Sequence, residues 1–278
     1  MDNKKKTLII LGNGYDMAWG LKSSYNDFLK SKQFTGLVSK LAPESYDKSL
    51  FSFIGKEKER RGWCDLEEDL FNYSKEIAQK QENVAAFQDE YNKLKLALQD
   101  YLAGIDNSVD KKDNQYLWNL HKQWNKENDI IGIISLNYTA YSKIRFPQIS
   151  KNLAVSYPHG FIMPKVAYDV SKVVLGIDES MKVSPEHAFL YKNQDKNIDR
   201  NLVLELVSKA EKLIFYGCSF CETDTWLYQT LFHNNIKDLE IYDVNICNIL
   251  KGIIKQCPQR LYQFVSYISM HPKKPSYN

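Results

Sequence analysis

The chain has 278 residues, of which 44% are hydrophobic and 26% are charged, and these proportions are typical of soluble globular proteins. Its formal net charge of +3 is too small to indicate a polyanionic partner, so the composition gives no support for nucleic-acid binding. No apolar run approaches the roughly 20 residues that span a bilayer, so we expect no membrane segment.

The first predicted element is a strand at Thr7–Leu11, an apolar run that is too short for the hydrophobic region of a signal peptide. The five cysteines are scattered, odd in number and without the paired clusters of a structural zinc site. We therefore expect a reducing, cytoplasmic location, cysteines that serve as small buried hydrophobic residues, and no bound metal.

Short β-branched runs alternate with longer helical stretches along the rest of the chain. This alternation predicts an α/β fold: a Rossmann-like, mainly parallel sheet of about six strands with helices on both faces, in a single domain over residues 1–278. Several runs are almost entirely apolar, as in strands that are covered on both faces. Strands are predicted at Thr7–Leu11, Ile130–Leu136, Leu153–Tyr157, Lys172–Leu175, Lys212–Tyr216 and Leu239–Tyr242, with a last candidate at Phe264–Ile268.

Residues 46–126 lie between the first two predicted strands and have little β character. Asp65 followed by Glu68 is typical of a helix N-cap with its reciprocal glutamate. We interpret residues 46–126 as a helical insertion or lid that stands on the sheet, whereas the lysine- and asparagine-rich segment Tyr191–Arg200 is predicted to be solvated and mobile. Apolar residues recur at helical spacing in two stripes of the insertion: Leu66, Leu70, Tyr73 and Ile77, then Phe87, Tyr91, Leu94, Leu98 and Tyr101.

A glycine turn, Gly12-Asn13-Gly14, directly follows the first predicted strand. Glycines at this point let the backbone turn tightly and approach a pyrophosphate, which amides at the start of the next helix can bind. The pattern is an incomplete dinucleotide-binding motif because Met17 stands where the third glycine would be. A plain tight turn is therefore the alternative interpretation.

Two residues that follow the glycine turn have two interpretations each. Asp16 could accept a hydrogen bond from a ribose hydroxyl, or it could cap the helix that follows. Tyr25 could line the pocket beside the turn, or it could belong to the core. Both are included among the candidate ligand-binding residues.

Polar side chains also follow the next two predicted strands, at the sheet edge where open α/β folds bind ligands. Asn137 is the first polar residue after the strand at Ile130–Leu136, although an asparagine at this point can simply close a turn. His159 follows the strand at Leu153–Tyr157 and precedes Gly160. Histidine titrates near neutral pH, so His159 is a candidate general base, with a structural histidine as the alternative.

The later strand ends carry the remaining candidates for ligand binding. Gly217 and Ser219 form a turn after the strand at Lys212–Tyr216 and could contact a phosphate or ribose, and Asp224 belongs to the acidic segment that follows. Asp243 and Asn245 end the strand at Leu239–Tyr242, where such groups commonly bind an adenosine ribose. Polar residues at exposed strand ends are also common without any ligand.

Taken together, the spaced motifs resemble the bacteriophage abortive infection AbiH family. They occur in order over most of the chain, from about Leu8 to about Asn245. The motifs are Gly12-Asn-Gly-Tyr-Asp16, Gly20-Leu-x-Ser-x-Tyr25, Trp63-x-Asp65-Leu-Glu67, Leu136-Asn-Tyr-Thr139, His159-Gly160, Leu175-Gly-Ile-Asp178 and Gly217-x-Ser-x4-Asp224.

That family is similar to the sirtuin-related Rossmann folds, so the resemblance implies a single sirtuin-like α/β domain. In those folds a glycine loop holds NAD, an asparagine positions the ribose and a water, and a histidine is the base. The resemblance carries these roles to Gly12 and Gly14, to Asn137 and to His159, with Gly217 and Ser219 in the Gly-x-Ser turn and Asp243 and Asn245 near the adenosine ribose.

Two departures from the sirtuin pattern limit what the resemblance implies. The chain lacks the four-cysteine zinc ribbon of sirtuin deacetylases, so deacetylation is not expected. Asn13 stands where typical sirtuins have alanine. Glu67 has no catalytic counterpart, and a solvated acid at the start of a helix is its favoured interpretation.

The resemblance implies a cytoplasmic anti-phage protein that hydrolyses the N-glycosidic bond of NAD, or of a related nucleotide, to ADP-ribose and nicotinamide. Nicotinamide in NAD is already a cationic leaving group, so cleavage needs no helper cofactor, and NAD would be the substrate. The alternatives are a sensor or interaction module that binds a nucleotide without cleaving it, ribosyl transfer to another acceptor, and action on nucleic acid. Both the hydrolase and the sensor are compatible with a phage trigger or a partner protein and with assembly into a homo-oligomer.

Overall fold

The structure is a computed structural model that describes residues 4–43, 48–56, 63–80, 83–105, 114–139, 153–162, 173–195, 200–233, 236–243, 251–253 and 268–272. Three short 3-10 turns lie at Pro185–Leu190, Lys192–Gln194 and Glu222–Asp224. The helices and strands, in chain order, are β1 Lys6–Leu11, α1 Asn13–Ala18, α2 Tyr25–Leu29, α3 Lys32–Val38, α4 Leu50–Lys56, α5 Trp63–Lys80, α6 Val84–Ala103, α7 Gln115–Glu127, β2 Asp129–Ser135, β3 Ala154–Ser156, α8 Arg200–Lys209, β4 Lys212–Tyr216, α9 Thr225–His233, β5 Asp238–Asp243 and β6 Ile268–Pro272.

The described strands form one sheet in the order β3-β2-β1-β4-β5-β6, and every neighbouring pair is parallel. This is the strand order of a doubly wound Rossmann-type fold, in which the connections change direction between β1 and β4. The predicted fold class is therefore confirmed. In such sheets ligands bind beyond the carboxyl ends of the strands at this switch point.

Both faces of the sheet are buried, which explains why its central strands are almost entirely apolar. Along β1, Ile9 and Leu11 face a core that the helices of the insertion complete, whereas Leu8 and Ile10 face a second core. Residues of α8 and α9, such as Val203 and Leu231, fill that second core. Helices thus cover both faces, as predicted.

One predicted strand needs correction. The segment at Lys172–Leu175 was expected to be a strand, but the structure describes Val173–Leu175 as buried chain outside any strand. Its backbone is satisfied in other ways, since the Val174 amide donates to the His159 carbonyl at 2.9 Å and the Tyr91 hydroxyl donates to the Leu175 carbonyl at 2.6 Å. The described last strand is Ile268–Pro272, and residues 264–267 of the candidate Phe264–Ile268 are outside the described residues.

The segment between β1 and β2 is helical, as the apolar spacing predicts. The stripe residues of α5 and α6 are buried, except that Tyr101 is only half-buried. Asp65 lies inside the first turn of α5, which begins at Trp63, so Asp65 is not the N-cap of this helix. That this segment acts as a lid stays a prediction. Among the described residues, no helix combines the length and the apolar composition that crossing a membrane requires.

The cysteine prediction holds for one thiol and fails for another. Cys218 is a free, buried thiol, and burial raises its pKa well above the usual value. Cys221 is disulfide-bonded, so it is not a small buried hydrophobic residue of the expected kind.

Candidate functional site

Two glycine turns meet at the switch point of the sheet. The Gly12 amide donates to the Tyr216 carbonyl at 2.9 Å, and the Gly14 amide donates to the Gly217 carbonyl at 3.1 Å. A Cβ atom at Gly217, which has a φ of 64°, would lie 2.5 Å from the Gly14 Cα. The two turns therefore require glycine to contact each other. Because the Gly12 amide bonds to β4 and the Gly14 amide bonds to the turn after it, their contact with a phosphate stays a prediction.

A fully buried carboxyl lies behind the first glycine turn. Asp16 Oδ1 accepts a hydrogen bond from Asn137 Nδ2 at 3.2 Å, and Asp16 Oδ2 accepts one from the Thr139 hydroxyl. Burial raises the pKa of Asp16 to about 7, although the hydrogen bonds from Thr139 and Asn137 act in the opposite direction. We call these three residues the Asp16 cluster. Asp16 lies inside α1, whose N-cap is Gly12, so it does not cap that helix, and its predicted contact with a ribose stays a prediction.

Asn137 has a buried acceptor that is not satisfied by the protein. Its Nδ2 donates to the Gly12 carbonyl at 3.1 Å, but its Oδ1 has no hydrogen-bond partner among the described residues. An unpaired buried acceptor costs about 1–3 kcal/mol. Asn137 lines a pocket of about 200 Å³, part of it open to solvent, together with Asn13 and Ser23. A hydrogen-bond donor on a ligand in this pocket would satisfy the Asn137 oxygen.

Two other candidates near the first turn have protein partners. Asn13 Oδ1 accepts a hydrogen bond from the Ser23 hydroxyl at 2.6 Å, so its side chain is held beside the pocket. Tyr25 is buried, and its hydroxyl donates to Asp69 at 3.4 Å. The structure places Tyr25 in the core, the second of its two interpretations.

His159 is held by both of its ring nitrogens. Nδ1 lies 3.1 Å from the Leu136 carbonyl, and Nε2 lies 2.7 Å from Asp224 Oδ1. A carbonyl can only accept, so Nδ1 carries a proton, and the short contact with Asp224 requires a second proton between Nε2 and the carboxylate. His159 could act as a base only after Nε2 loses this second proton and separates from Asp224.

A buried lysine connects Asp224 to the helical insertion. The Lys192 ammonium donates to Glu67 Oε2 at 2.9 Å, to Asp224 Oδ1 at 2.7 Å and to the Thr223 carbonyl at 3.0 Å. We call Glu67, His159, Lys192 and Asp224 the charged cluster. All four side chains are buried or nearly so.

The charges of the cluster stabilise each other against burial. Burial alone would raise the pKa of Asp224, but the neighbouring His159 and Lys192 hold it well below its usual range. Burial alone would lower the pKa of Lys192, but the carboxylates of Asp224 and Glu67 raise it above its usual value. For Glu67 burial is the stronger effect and raises the pKa, while Lys192 opposes it. At neutral pH Asp224 is therefore an anion and Lys192 a cation.

The charged cluster opens on a second pocket. His159, Lys192 and Asp224 line a space of about 360 Å³, part of it open to solvent, with Arg200 and Trp226 on its other side. Asn137, in contrast, lines the first pocket. Within the part of the chain that the structure describes, no group of three or more His, Cys, Asp and Glu residues is arranged to hold a metal ion.

The remaining candidates lie outside these two pockets or outside the described residues. Ser219 is exposed, with its hydroxyl 3.1 Å from Cys221 Sγ. Asp243 is the half-buried last residue of β5. Asn245 is outside the described residues. The predicted contacts of these three residues with a phosphate or an adenosine ribose stay predictions.

Sequence reasoning missed two members of the charged cluster. Lys192 belongs to the segment that was expected to be solvated, but its ammonium is buried because three acceptors surround it. Glu67 was interpreted as a solvated acid, yet it is buried where α5 faces Lys192. The motif that contains Glu67 was a usable signal. A single lysine in a polar run gave none.

The strand order, the meeting of the two glycine turns and the polar groups beyond β2, β3 and β4 define the class of the protein. It is a Rossmann-type α/β protein with buried polar and charged side chains at the switch point of its sheet. The family follows from the comparison of sequences: the family model described as "Bacteriophage abortive infection AbiH" matches residues 8–242. The chain belongs to this abortive infection family.

Comparison with solved structures finds weak similarity to sirtuins. One, from work on the mechanism and regulation of Sir2 enzymes, is 11% identical, covers 94% of each chain and has a TM-score of 0.35. A second, concerning sirtuin substrate affinity, is 13% identical over 93% of this chain and 95% of the other, with a TM-score of 0.35. A third, Sir2Tm bound to a propionylated peptide, is 14% identical over 87% and 83%, with a TM-score of 0.34.

The comparison with curated proteins found no match. The fold class given above therefore rests on the topology of the sheet itself.

Proposed function

We propose that the protein is an anti-phage enzyme that hydrolyses the N-glycosidic bond of NAD, or of a related nucleotide, at the carboxyl edge of its sheet. Membership of the abortive infection family supports the defence role. The observation that carries the site assignment is the hydrogen bond from His159 Nδ1 to the Leu136 carbonyl, 3.1 Å long. Because Asn137 is the next residue, this bond holds His159 beside the strand end that carries Asn137.

The proposed reaction needs a water, a stabilised ribosyl cation and an acceptor for one proton. The water oxygen forms a bond to the ribose carbon as the carbon–nitrogen bond breaks, and nicotinamide leaves as a neutral molecule with the bonding electron pair. Asn137 would orient the water or a ribose hydroxyl through its unpaired Oδ1. His159 would accept the proton at Nε2 after the proton that lies between Nε2 and Asp224 has passed to solvent and Asp224 Oδ1 is held by Lys192 alone.

The test is to incubate the purified protein with NAD and to follow nicotinamide by chromatography. We expect the wild type to release nicotinamide and both Asn137→Ala and His159→Gln to reduce the rate by at least about 100-fold, the usual contribution of a positioned proton acceptor. His187→Gln is the matched control, since His187 is also buried but bonds Ser184 outside the cluster. Equal rates in all four proteins would contradict the site assignment.

The defence role needs a cellular test. Cells that carry the wild-type gene should form fewer phage plaques than cells that carry His159→Gln or Asn137→Ala. If both variants protect as well as the wild type, the proposed site is not the origin of the defence.

A second candidate function is nucleotide binding without cleavage. It is favoured by two observations: both ring nitrogens of His159 are engaged, and Asn137 and His159 line different pockets. Calorimetry with NAD and with ADP-ribose, followed by recovery of the ligand, separates the two functions. Tight binding with the ligand recovered intact supports the sensor and contradicts the hydrolase.

A further inference from the structure

The charged cluster joins parts of the chain that are distant in sequence. Glu67 lies on α5 of the insertion, Lys192 lies between β3 and α8, and Asp224 follows β4. Lys192 uses all three of its ammonium protons on Glu67, Asp224 and the Thr223 carbonyl. The position of Lys192 is therefore fixed by the insertion on one side and by the segment after β4 on the other.

Lys192 and His159 bind the same carboxylate oxygen. Asp224 Oδ1 lies 2.7 Å from Lys192 Nζ and 2.7 Å from His159 Nε2. A cation at this distance disfavours the protonated imidazole, whereas the carboxylates favour it. The strength of the contact between His159 and Asp224 thus depends on how firmly Glu67 draws Lys192 away.

From this geometry we infer that Glu67 and Lys192 are positioning residues that control the protonation of His159 through the shared oxygen of Asp224. Helix α5 of the insertion is thereby linked to the candidate base, although Glu67 does not touch His159. The catalytic consequence of this link rests on the proposed function. The link itself can be measured without any substrate.

None of the substitutions used to test this inference changes the other groups that face His159. The Tyr138 ring lies 6.0 Å from the imidazole, and burial raises the pKa of Tyr138 well above its usual value, so its hydroxyl stays neutral. Across the pocket, Asp178 accepts from the Trp226 amide at 2.8 Å, and Arg200 pairs with Glu179 at 3.0 Å. These charges are the same in every variant compared below.

The experiment follows the imidazole of His159 by long-range ¹H–¹⁵N NMR, with its signal assigned by its absence in His159→Gln. Lys192→Met removes the competing cation, so the titration midpoint of His159 should rise by about one pH unit. Glu67→Gln removes a carboxylate and strengthens the hold of Lys192 on Asp224, so the midpoint should fall. Lys192→Arg keeps the charge and should leave the midpoint close to that of the wild type.

Lys95→Met is the matched control. Lys95 also joins the insertion to the same loop, through an ion pair with Asp195 at 3.3 Å, but touches neither Asp224 nor His159. It should leave the midpoint unchanged. If Lys192→Met does not fold, Glu67→Gln and Lys192→Arg still decide the question.

A purely structural role predicts that the variants lose stability while the His159 midpoint stays constant. If Glu67→Gln shifts the midpoint no more than Lys95→Met does, the inference is wrong, whether or not the protein cleaves NAD. If the wild type cleaves no NAD but the opposite shifts occur, the proposed function fails and the inference holds. Where NAD is cleaved, the pH profile of the rate should move with the NMR midpoint in each variant.

Discussion

Replacing Asp16 by asparagine tests whether the fold holds this carboxyl protonated. Burial raises the pKa of Asp16 from 3.8 to about 7. Between these values the folded protein keeps a proton that the unfolded chain releases, so the free energy of unfolding falls as the pH rises. Asparagine has the shape of the protonated carboxyl and cannot ionise. Asp16→Asn should therefore remove this part of the pH dependence.

The magnitude follows from the width of the pH window. Between pH 5 and pH 7 the folded protein holds one proton more at Asp16 than the unfolded chain does, and each pH unit changes the free energy of unfolding by about 1.4 kcal/mol. The expected loss between pH 5 and pH 8 is about 3 kcal/mol. His121 acts in the opposite direction below pH 6.5, because burial lowers its pKa to about 3. The wild type alone would therefore show only a small change between pH 5 and pH 6.5.

Urea unfolding of the wild type and Asp16→Asn at pH 5, 6, 7 and 8, at one ionic strength, isolates the contribution of Asp16. The effect of His121 is common to both proteins and cancels in the difference. We expect the stability of the variant relative to the wild type to rise by about 3 kcal/mol from pH 5 to pH 8. A difference that stays constant over this range would show that Asp16 is ionised throughout, and would refute the reasoning.

Two further predictions concern stability. Gly217→Ala should cost about 3 kcal/mol, because an L-residue at a φ of 64° is strained and its Cβ would lie 2.5 Å from the Gly14 Cα, whereas Gly36→Ala, inside α3 and with open space around it, should stabilise by about 0.5–1 kcal/mol. Thermal unfolding of both variants measures this contrast, and changes of the same sign would contradict it. For His121, whose folded-state pKa is lowered, stability should be lost as the pH falls from 6.5 towards 3, by up to about 5 kcal/mol, and His121→Gln should lack this loss. Parallel pH profiles of the two proteins in urea unfolding would show that the reasoning is wrong.

The central strands could be predicted from the sequence because their signal is local. A run such as Leu8–Leu11 is apolar at every position, since both faces of β1 are buried. The strand prediction at Val173–Leu175 was wrong because it used the same apolar signal. That segment is equally apolar and buried, but side chains such as Tyr91 satisfy its backbone in place of a neighbouring strand. Composition reports burial, and it does not report which partner accepts the hydrogen bond.

The candidate site could be predicted only where a polar residue lies within a few residues of a strand end. Asn137 and His159 satisfy that rule, and the structure brings them to adjacent strand ends. Lys192 and Glu67 do not, because their contact joins residues 125 positions apart in the chain. No periodicity or turn motif encodes such a contact. Only the packing of the insertion against the loop before α8 creates it.

Burial of the charged cluster also costs free energy that an apolar core would not cost. Replacing a buried ion pair by apolar residues is often neutral or stabilising, so the stability of the fold alone does not explain why four ionisable side chains are buried together. The same holds for Asp16, which the fold buries at a cost that grows as the pH rises. Both groups lie at the carboxyl edge of the sheet, on either side of the segment from Leu136 to Thr139. Departures from the rules of stable packing are expected at functional sites, and in this protein they occur where the topology of the sheet independently places the ligand.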